Sequence, residues 1–533
     1  MTENSNVYRK VSIAALIMMM SVLLSRIFGF AREIIVAWIG GAGSMVDAYQ
    51  VAFIIPDILN HILASGFMSV TFIPIFSRYL TQGDEKGGWK AFSNILFCFG
   101  LLLFVLVVIC MIFAPQLVRL AAPGLQQEVM YEYAAAMTRI VMPAQLCFFA
   151  GGMLMAVQYA KERFLIPALA PLVYNLGIIA GGLILGPFIG VFGLAWGVLI
   201  GAIAGNLLIQ LVGAIIAGLR IYPRFKPLDR DLVKYTFLTI PLIIGVSLTF
   251  STEFVVRFFG SFLGYGRIAA LNYALRIMLL LVGFFGQAVG TASYPFMSKM
   301  AARGDMTGLN ALLDKTIRYM ALLIPLSLLV FAVRFEVVQV LFERGHFTAR
   351  DTLVTGRLLG CFMLGACAFS LYTLVVRGYY AMQNTWFPAL FGLVAFLISV
   401  PFYIWAAVYV QSSMLLALMI SAASIVQVVV LYIIWARKTK NANAVVVGRF
   451  YVKMIAISIV AFAVLYGFKM LVFGAFEPML DDYALHGMTR FWRSLLVCVV
   501  CGLFYGVLGL LAGYVFKIEE ILFVFKKFLR RKT

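Results

Sequence analysis

The chain has 533 residues, 63% of them hydrophobic and 12% charged, with a mean hydropathy of +1.01 and a formal net charge of +20. Soluble domains average about 45–50% apolar and about 25% charged residues, so this composition excludes them and marks a polytopic membrane protein. The basic excess lies in short loops, which fits membrane topology rather than a nucleic-acid surface.

A helix needs about 20 apolar residues to cross the hydrocarbon core. By that measure the sequence predicts an all-α protein of fourteen spans, numbered 1 to 14: 11–31, 45–78, 92–113, 131–157, 165–186, 190–217, 236–259, 266–297, 315–333, 353–379, 387–408, 412–436, 450–473 and 491–515. The start, MTENSNVYRK, lacks the small-residue cleavage site of a signal peptide, so span 1 is expected to be retained. Spans 2 and 8 are long enough to be bent, tilted or extended beyond the bilayer. Basic stretches follow the even-numbered spans, including Lys161 and Arg163, Arg220 to Lys234, Arg437 to Lys440 and Lys526 to Lys532. The positive-inside rule then places both termini in the cytoplasm. The seven cysteines are scattered through apolar runs, Cys498 and Cys501 included, and read as core or lipid-facing residues. His61, His346 and His486 are far apart, so no histidine metal cluster is expected.

At an offset of about 221 residues the chain matches itself. Pro74 to Arg78 meets Pro295 to Lys299, and Gly83-Asp84 with Gly87 meets Gly304-Asp305 with Gly308. Tyr159-Ala160 with Pro167 meets Tyr380-Ala381 with Pro388. The pattern predicts a parallel repeat of two six-span lobes, 1–219 and 220–440, followed by spans 13 and 14 with a basic tail in 441–533. Transporters with parallel repeats place the substrate site between the two halves.

Charges inside apolar spans are expensive and read as functional candidates. Span 1 carries Arg26, Arg32 and Glu33 in SRIFGFARE, span 2 opens with Asp47, and span 8 carries Arg276. Arg26 and Arg32 lie about 120° apart on an ideal helix, and Gly29 between them permits a bend. Arg26 and Glu33 share a helical face. Glu253 and Arg257 are one turn apart in span 7 and can form either a structural ion pair or part of a coupling-ion site. Guanidinium groups bond two phosphate oxygens at once, so the arginines favour an anionic, phosphate-bearing substrate. Intramembrane carboxylates, which a cationic drug would need, are scarce. There is no Walker A motif, so ATP hydrolysis is not the drive.

These stretches, with GAGSMVDAYQVAF (41–53), LNYALRI (271–277), LFERGHFTARDT (341–352) and RGYYAMQNTWFPAL (377–390), resemble the MurJ (MviN) family of lipid II flippases in the MOP exporter superfamily. The resemblance covers essentially the whole chain. It implies fourteen helices, with spans 13 and 14 forming a groove for a polyprenyl tail, in a multi-pass protein of the bacterial inner membrane. It implies no enzymatic activity and no cofactor; sodium, protons or the membrane potential are the candidate drives. The implied substrate is undecaprenyl-diphosphate-linked disaccharide-pentapeptide, and cell-wall synthesis proteins are candidate partners. Arg26, Arg32 and Arg276 match the family's cavity arginines, and Asp47 its cavity aspartate. One stretch departs: where the family usually reads PN-x-x-RR, this chain has Pro56-Asp57-Ile-Leu-Asn60-His61. Asn60 and His61 are thus substrate-site candidates with altered chemistry. A paralogue moving another polyprenyl-diphosphate glycan, for capsule or exopolysaccharide, is the alternative; a MATE-like cation-coupled exporter is a weaker one.

Overall fold

The computed structural model describes residues 2–60, 66–247, 252–474, 487–518 and 520. All regular elements among them are helical. A helix satisfies its own backbone hydrogen bonds where no water is available, which is the physical reason apolar runs in lipid take this form. His61, His486 and the basic tail from Lys526 to Lys532 lie outside the described residues.

Ten helices among the described residues are long and apolar enough to cross a membrane. They fall at spans 3–6 and 9–14 of the sequence reading, from Glu85–Ile112 to Thr489–Val515. The remaining expected spans, 1, 2, 7 and 8, are largely helical over their described residues. Span 1 is part of one helix, Thr2–Gly40, of 39 residues. Span 2 has a turn at Phe53 between Ser44–Ala52 and Ile54–Leu59, and its described later part is the helix Gly66–Thr81. The described parts of span 7 are the helices Arg230–Ser247 and Thr252–Gly260. Span 8 runs Arg267–Val282, passes through a π-helical stretch at Gly283–Gln287, and continues as Ala288–Ala302. These four spans carry Arg26, Arg32, Asp47, Arg257 and Arg276, and they are equivalent in pairs under the repeat.

The repeat is visible in local backbone geometry. Gly83 and Gly304 adopt φ of 72° and 71°, a left-handed conformation open to glycine. Each is followed by an aspartate that caps the next helix, Asp84 accepting from Gly87 N and Asp305 from Gly308 N, both at 2.8 Å. Glu162 and Gln383 share positive φ at the same offset, and so do Gly190 and Gln411.

Packing divides the chain into two compact units, Met1–Ala269 and Ala270–Thr533. The repeat boundary near 219/220 is a sequence relation, and packing extends the first unit past it. Asp231, at the start of span 7, accepts from Arg78 Nη2 at 2.7 Å and from Tyr79 Oη at 2.5 Å. Thr71 and Thr239 hydroxyls meet at 3.2 Å, and Tyr235 joins the buried cluster of Phe72, Phe76, Trp89 and Phe92. Spans 5 and 6 touch along a ladder of glycines. A Cβ at Gly181 would stand 2.4 Å from Gly197 Cα, and one at Gly177 would stand 2.3 Å from Gly201 Cα. This is the small-residue packing that lets membrane helices approach closely.

In the second unit, spans 13 and 14 are fastened by charge and hydrogen bonds. Lys469 Nζ, fully buried, lies 2.7 Å from Glu336 Oε1 and donates to Ala332 O at 2.9 Å. Arg490 pairs with Glu343 at 3.0 Å, and Ser494 Oγ donates to Gln339 Oε1 at 2.5 Å. Removing one partner of a buried ion pair costs about 3–5 kcal/mol, because the other charge stays buried. Glu336→Ala is therefore expected to lower the thermal unfolding temperature in detergent clearly, whereas Glu336→Ala with Lys469→Met recovers most of the loss. Equal unfolding temperatures for Glu336→Ala and the parent would contradict this fastening role.

Candidate functional site

Span 1 presents its charges on a continuous helix. The helix runs through Gly29 without interruption, so the expected bend there does not take the form of a break. Gly29 instead leaves room for Asn175 of span 5, whose Oδ1 would lie 3.8 Å from a Cβ at that position. Arg32 Nη2 donates to Glu33 Oε1 at 2.6 Å, and Nη1 donates to Asn175 Oδ1 at 3.3 Å. Asn175 Nδ2 donates to Pro171 O at 2.8 Å, which fixes its amide. The Glu33 side chain is 5% exposed and that of Arg32 21%. The Glu33 carboxylate is reached by the adjacent arginine. The long guanidinium side chain swings across the 100° between neighbouring helical residues.

A second group centres on Arg257. Its Nη1 lies 2.6 Å from Asp57 Oδ2, and its Nη2 lies 3.5 Å from Glu253 Oε2. The Arg257 side chain is 6% exposed, while Asp57 is 41% exposed. The expected Glu253–Arg257 pair is present, and Asp57 makes the closer contact. Asp57 thus supplies a carboxylate from span 2 to the arginine of span 7. The two groups are neighbours: Tyr49 of span 2 lies near Arg32, Glu33 and Arg257, and Tyr174 of span 5 lies near Arg32 and Asp57.

Asp47 is placed differently from a ligand-facing carboxylate. Its side chain is buried, and its oxygens accept from Gly266 N at 2.5 Å and Ala269 N at 2.7 Å. A carboxylate at a helix start satisfies orphan N–H groups and meets the positive end of the helix dipole. The local sequence requires this geometry: Gly266 has φ of 70°, and a Cβ there would lie 2.0 Å from Ala42 O. Asp47 thus ties the start of span 2 to the helix beginning at Arg267.

Arg26 and Asn60 are half-buried in the first unit, Asn60 at the end of Ile54–Leu59. Arg276 is half-buried on Arg267–Val282 and belongs to the second unit. The structure therefore brings together Arg32, Glu33, Asp57, Glu253 and Arg257, and sets Asp47 apart as a helix cap. Sequence reasoning missed Asn175, Tyr49 and Tyr174. The signal for Asn175 was a polar residue within the apolar run ALAPLVYNLGIIA of span 5. Chemically, the cluster offers guanidinium forks already held by carboxylates, an arrangement in which an incoming anion exchanges for an internal one.

A helical membrane protein with a repeated lobe and intramembrane arginines is a transporter for an anionic substrate by class. The profile of the lipid II flippase MurJ family matches residues 36–480. The lipid II flippase MurJ of Burkholderia cenocepacia is 30% identical over 378 residues, covering 68% of this chain and 72% of that protein. A probable lipid II flippase MurJ from Buchnera aphidicola subsp. Baizongia pistaciae is 26% identical over 461 residues, covering 85% and 88%. A solved structure of lipid II flippase MurJ in an inward closed conformation shares the fold, with a TM-score of 0.74, 23% identity, and coverage of 94% of this chain and 99% of that one. The chain belongs to the MurJ lipid II flippase family.

The cap at Asp47 makes a local prediction. Asp47→Ala removes the acceptor for two backbone amides, and loss of such a cap typically costs about 1 kcal/mol. Hydrogen exchange over Gly266–Ala269 should accelerate in Asp47→Ala relative to the parent. Unchanged exchange would mean that the amides are protected by other means.

Proposed function

We propose that this chain moves lipid II, the undecaprenyl-diphosphate-linked disaccharide-pentapeptide, from the inner to the outer leaflet of the bacterial plasma membrane by alternating access. The observation that carries this reading is family membership over most of the chain, joined to arginines inside spans 1 and 8 where the family has its cavity cations. Both termini are cytoplasmic in this reading, following the positive loops after even-numbered spans. Flipping breaks no covalent bond, so the protein needs binding energy that differs between states rather than catalytic groups.

The diphosphate engages Arg26, Arg32 and Arg276. On Arg32 it competes with Glu33, 2.6 Å away. That competition matters, because a site equally tight in both states drives no cycle. Glu33 reclaims the guanidinium as the phosphate leaves, which favours release. An inside-negative potential assists outward movement of the anion by about 2.3 kcal/mol per charge per 100 mV. The tail stays in the groove of spans 13 and 14. Candidate protein partners are the enzymes that make and polymerise the cell-wall precursor.

A second reading keeps the fold and changes the glycan. It is favoured by Asn60 and His61 standing where two arginines are usual, and by Asp57 occupying Arg257 at 2.6 Å. Fewer available cations suit a head group with different phosphate contacts.

One experiment separates these readings. In a bacterium depleted of its lipid II flippase, expression of this chain should restore lipid II exposure on the outer leaflet. Arg26→Ala and Arg32→Ala each remove a charge-assisted contact worth about 1.5–3 kcal/mol, so exposure should fall about tenfold or more with the protein still folded. Parent-level exposure in both variants would sink the arginine site. No restoration by the folded parent would transfer the assignment to another diphosphate-linked glycan.

A further inference from the structure

Spans 11 and 12 enclose a groove that the transport reading does not use. It lies between Trp386–Tyr409 and Ser413–Lys438 and has a volume of about 470 Å³. Its walls are apolar: Phe391, Val394, Ile398 and Phe402 from one helix, Met419 and Val426 from the other. The volume falls in the range of small-molecule sites, about 300–1,000 Å³. From Phe391 to Phe402 the groove follows the helix axis for about 16 Å. Half the hydrocarbon core of a bilayer is about 15 Å. The groove is therefore as long as one leaflet is deep, and its chemistry is that of a hydrocarbon chain.

Its polar groups are unevenly distributed. Toward the Tyr403 end, Ser399 Oγ donates to Ala395 O at 2.8 Å and is hydrogen-bonded to Tyr403, so these hydroxyls serve each other and the helix. At the other end, a Cβ on Gly392 would lie 3.2 Å from Tyr372 Oη and 3.9 Å from Gln427 Nε2. A hydroxyl and an amide thus converge where the groove nears Trp386. On that same side span 12 ends in Arg437 and Lys438, with Lys440 just beyond, all exposed. The opposite ends of the two helices meet at Gln411-Ser412-Ser413, which carries no charge.

We propose that this groove binds an anionic phospholipid of the cytoplasmic leaflet. One acyl chain lies between spans 11 and 12. The glycerol ester region meets Tyr372 and Gln427, and the phosphate is drawn to Arg437 and Lys438. Charge complementarity at one end selects both the leaflet and the sign of the headgroup. The site is separate from the arginine cluster and stands whichever glycolipid the chain moves.

The test uses the full chain in nanodiscs containing equal phosphatidylglycerol and phosphatidylethanolamine, followed by native mass spectrometry of retained lipid. The parent should retain phosphatidylglycerol preferentially, by roughly fivefold for each cation that reaches the phosphate. Ala422→Phe, which fills the groove, should abolish retention while the unfolding temperature stays at the parent value. Arg437→Gln with Lys438→Gln alters exposed residues and keeps the fold; it should leave one lipid bound but erase the preference between headgroups. Absence of phosphatidylglycerol preference in the parent would overturn the proposal. So would undiminished retention in a folded Ala422→Phe variant, an unchanged preference in the double glutamine variant, or displacement of phosphatidylglycerol by added undecaprenyl phosphate.

Discussion

In a hydrocarbon environment every charge and every open backbone group needs an internal partner, and the rest of this structure follows from how those partners are supplied. Ten helices among the described residues are long and apolar enough to cross a membrane, and where span 13 buries a charge at Lys469, Glu336 pairs with it. Spans 1, 2, 7 and 8 hold the charges of the candidate site. They carry Arg26, Arg32, Arg257 and Arg276, and among the described residues span 2 turns at Phe53 and span 8 passes through a π-helical stretch. The neighbouring apolar spans hold these residues in place. The glycine ladder of spans 5 and 6 illustrates that support: close backbone contact there sets span 5, and span 5 delivers Asn175 to Arg32.

Much of the fold was legible because its signals are local or periodic. Apolar length marks a span, and a constant offset marks a repeat. The paired Gly83-Asp84 and Gly304-Asp305 turns show that the offset preserves backbone conformation as well as residue identity. Site chemistry was legible only in part. The arginines stood out because a charge in an apolar run has few structural explanations. Their partners did not, because pairing depends on side-chain reach and on contacts made at long sequence separation. Arg257 meets Asp57 across 200 positions, and Arg32 meets Asn175 across 143. The resemblance implies a cavity role for Asp47, and its oxygens go to a helix start about 220 residues later. Packing drew the first unit past the repeat boundary for the same reason, since Asp231 and Tyr235 find their contacts on span 2 and span 3.

The cluster in the first unit is nearly compensated in charge. Arg32 has Glu33; Arg257 has Asp57 and Glu253. Strong uncompensated cations would hold a diphosphate too firmly to turn over, whereas internal carboxylates set a competing equilibrium.

The adjacency of Arg32 and Glu33 also bears on how the chain enters the membrane. Span 1 is synthesised ahead of spans 2 to 14 and meets the lipid before they do. An arginine whose counter-charge is the next residue brings its own neutralisation with it, so the insertion penalty is reduced while the helix is alone. Arg257 has only Glu253 on its own helix, one turn away, and its closer partner already waits in span 2 when span 7 emerges. Insertion can thus proceed in chain order, Arg32 arriving with its anion beside it and Arg257 into a bilayer where Asp57 is in place.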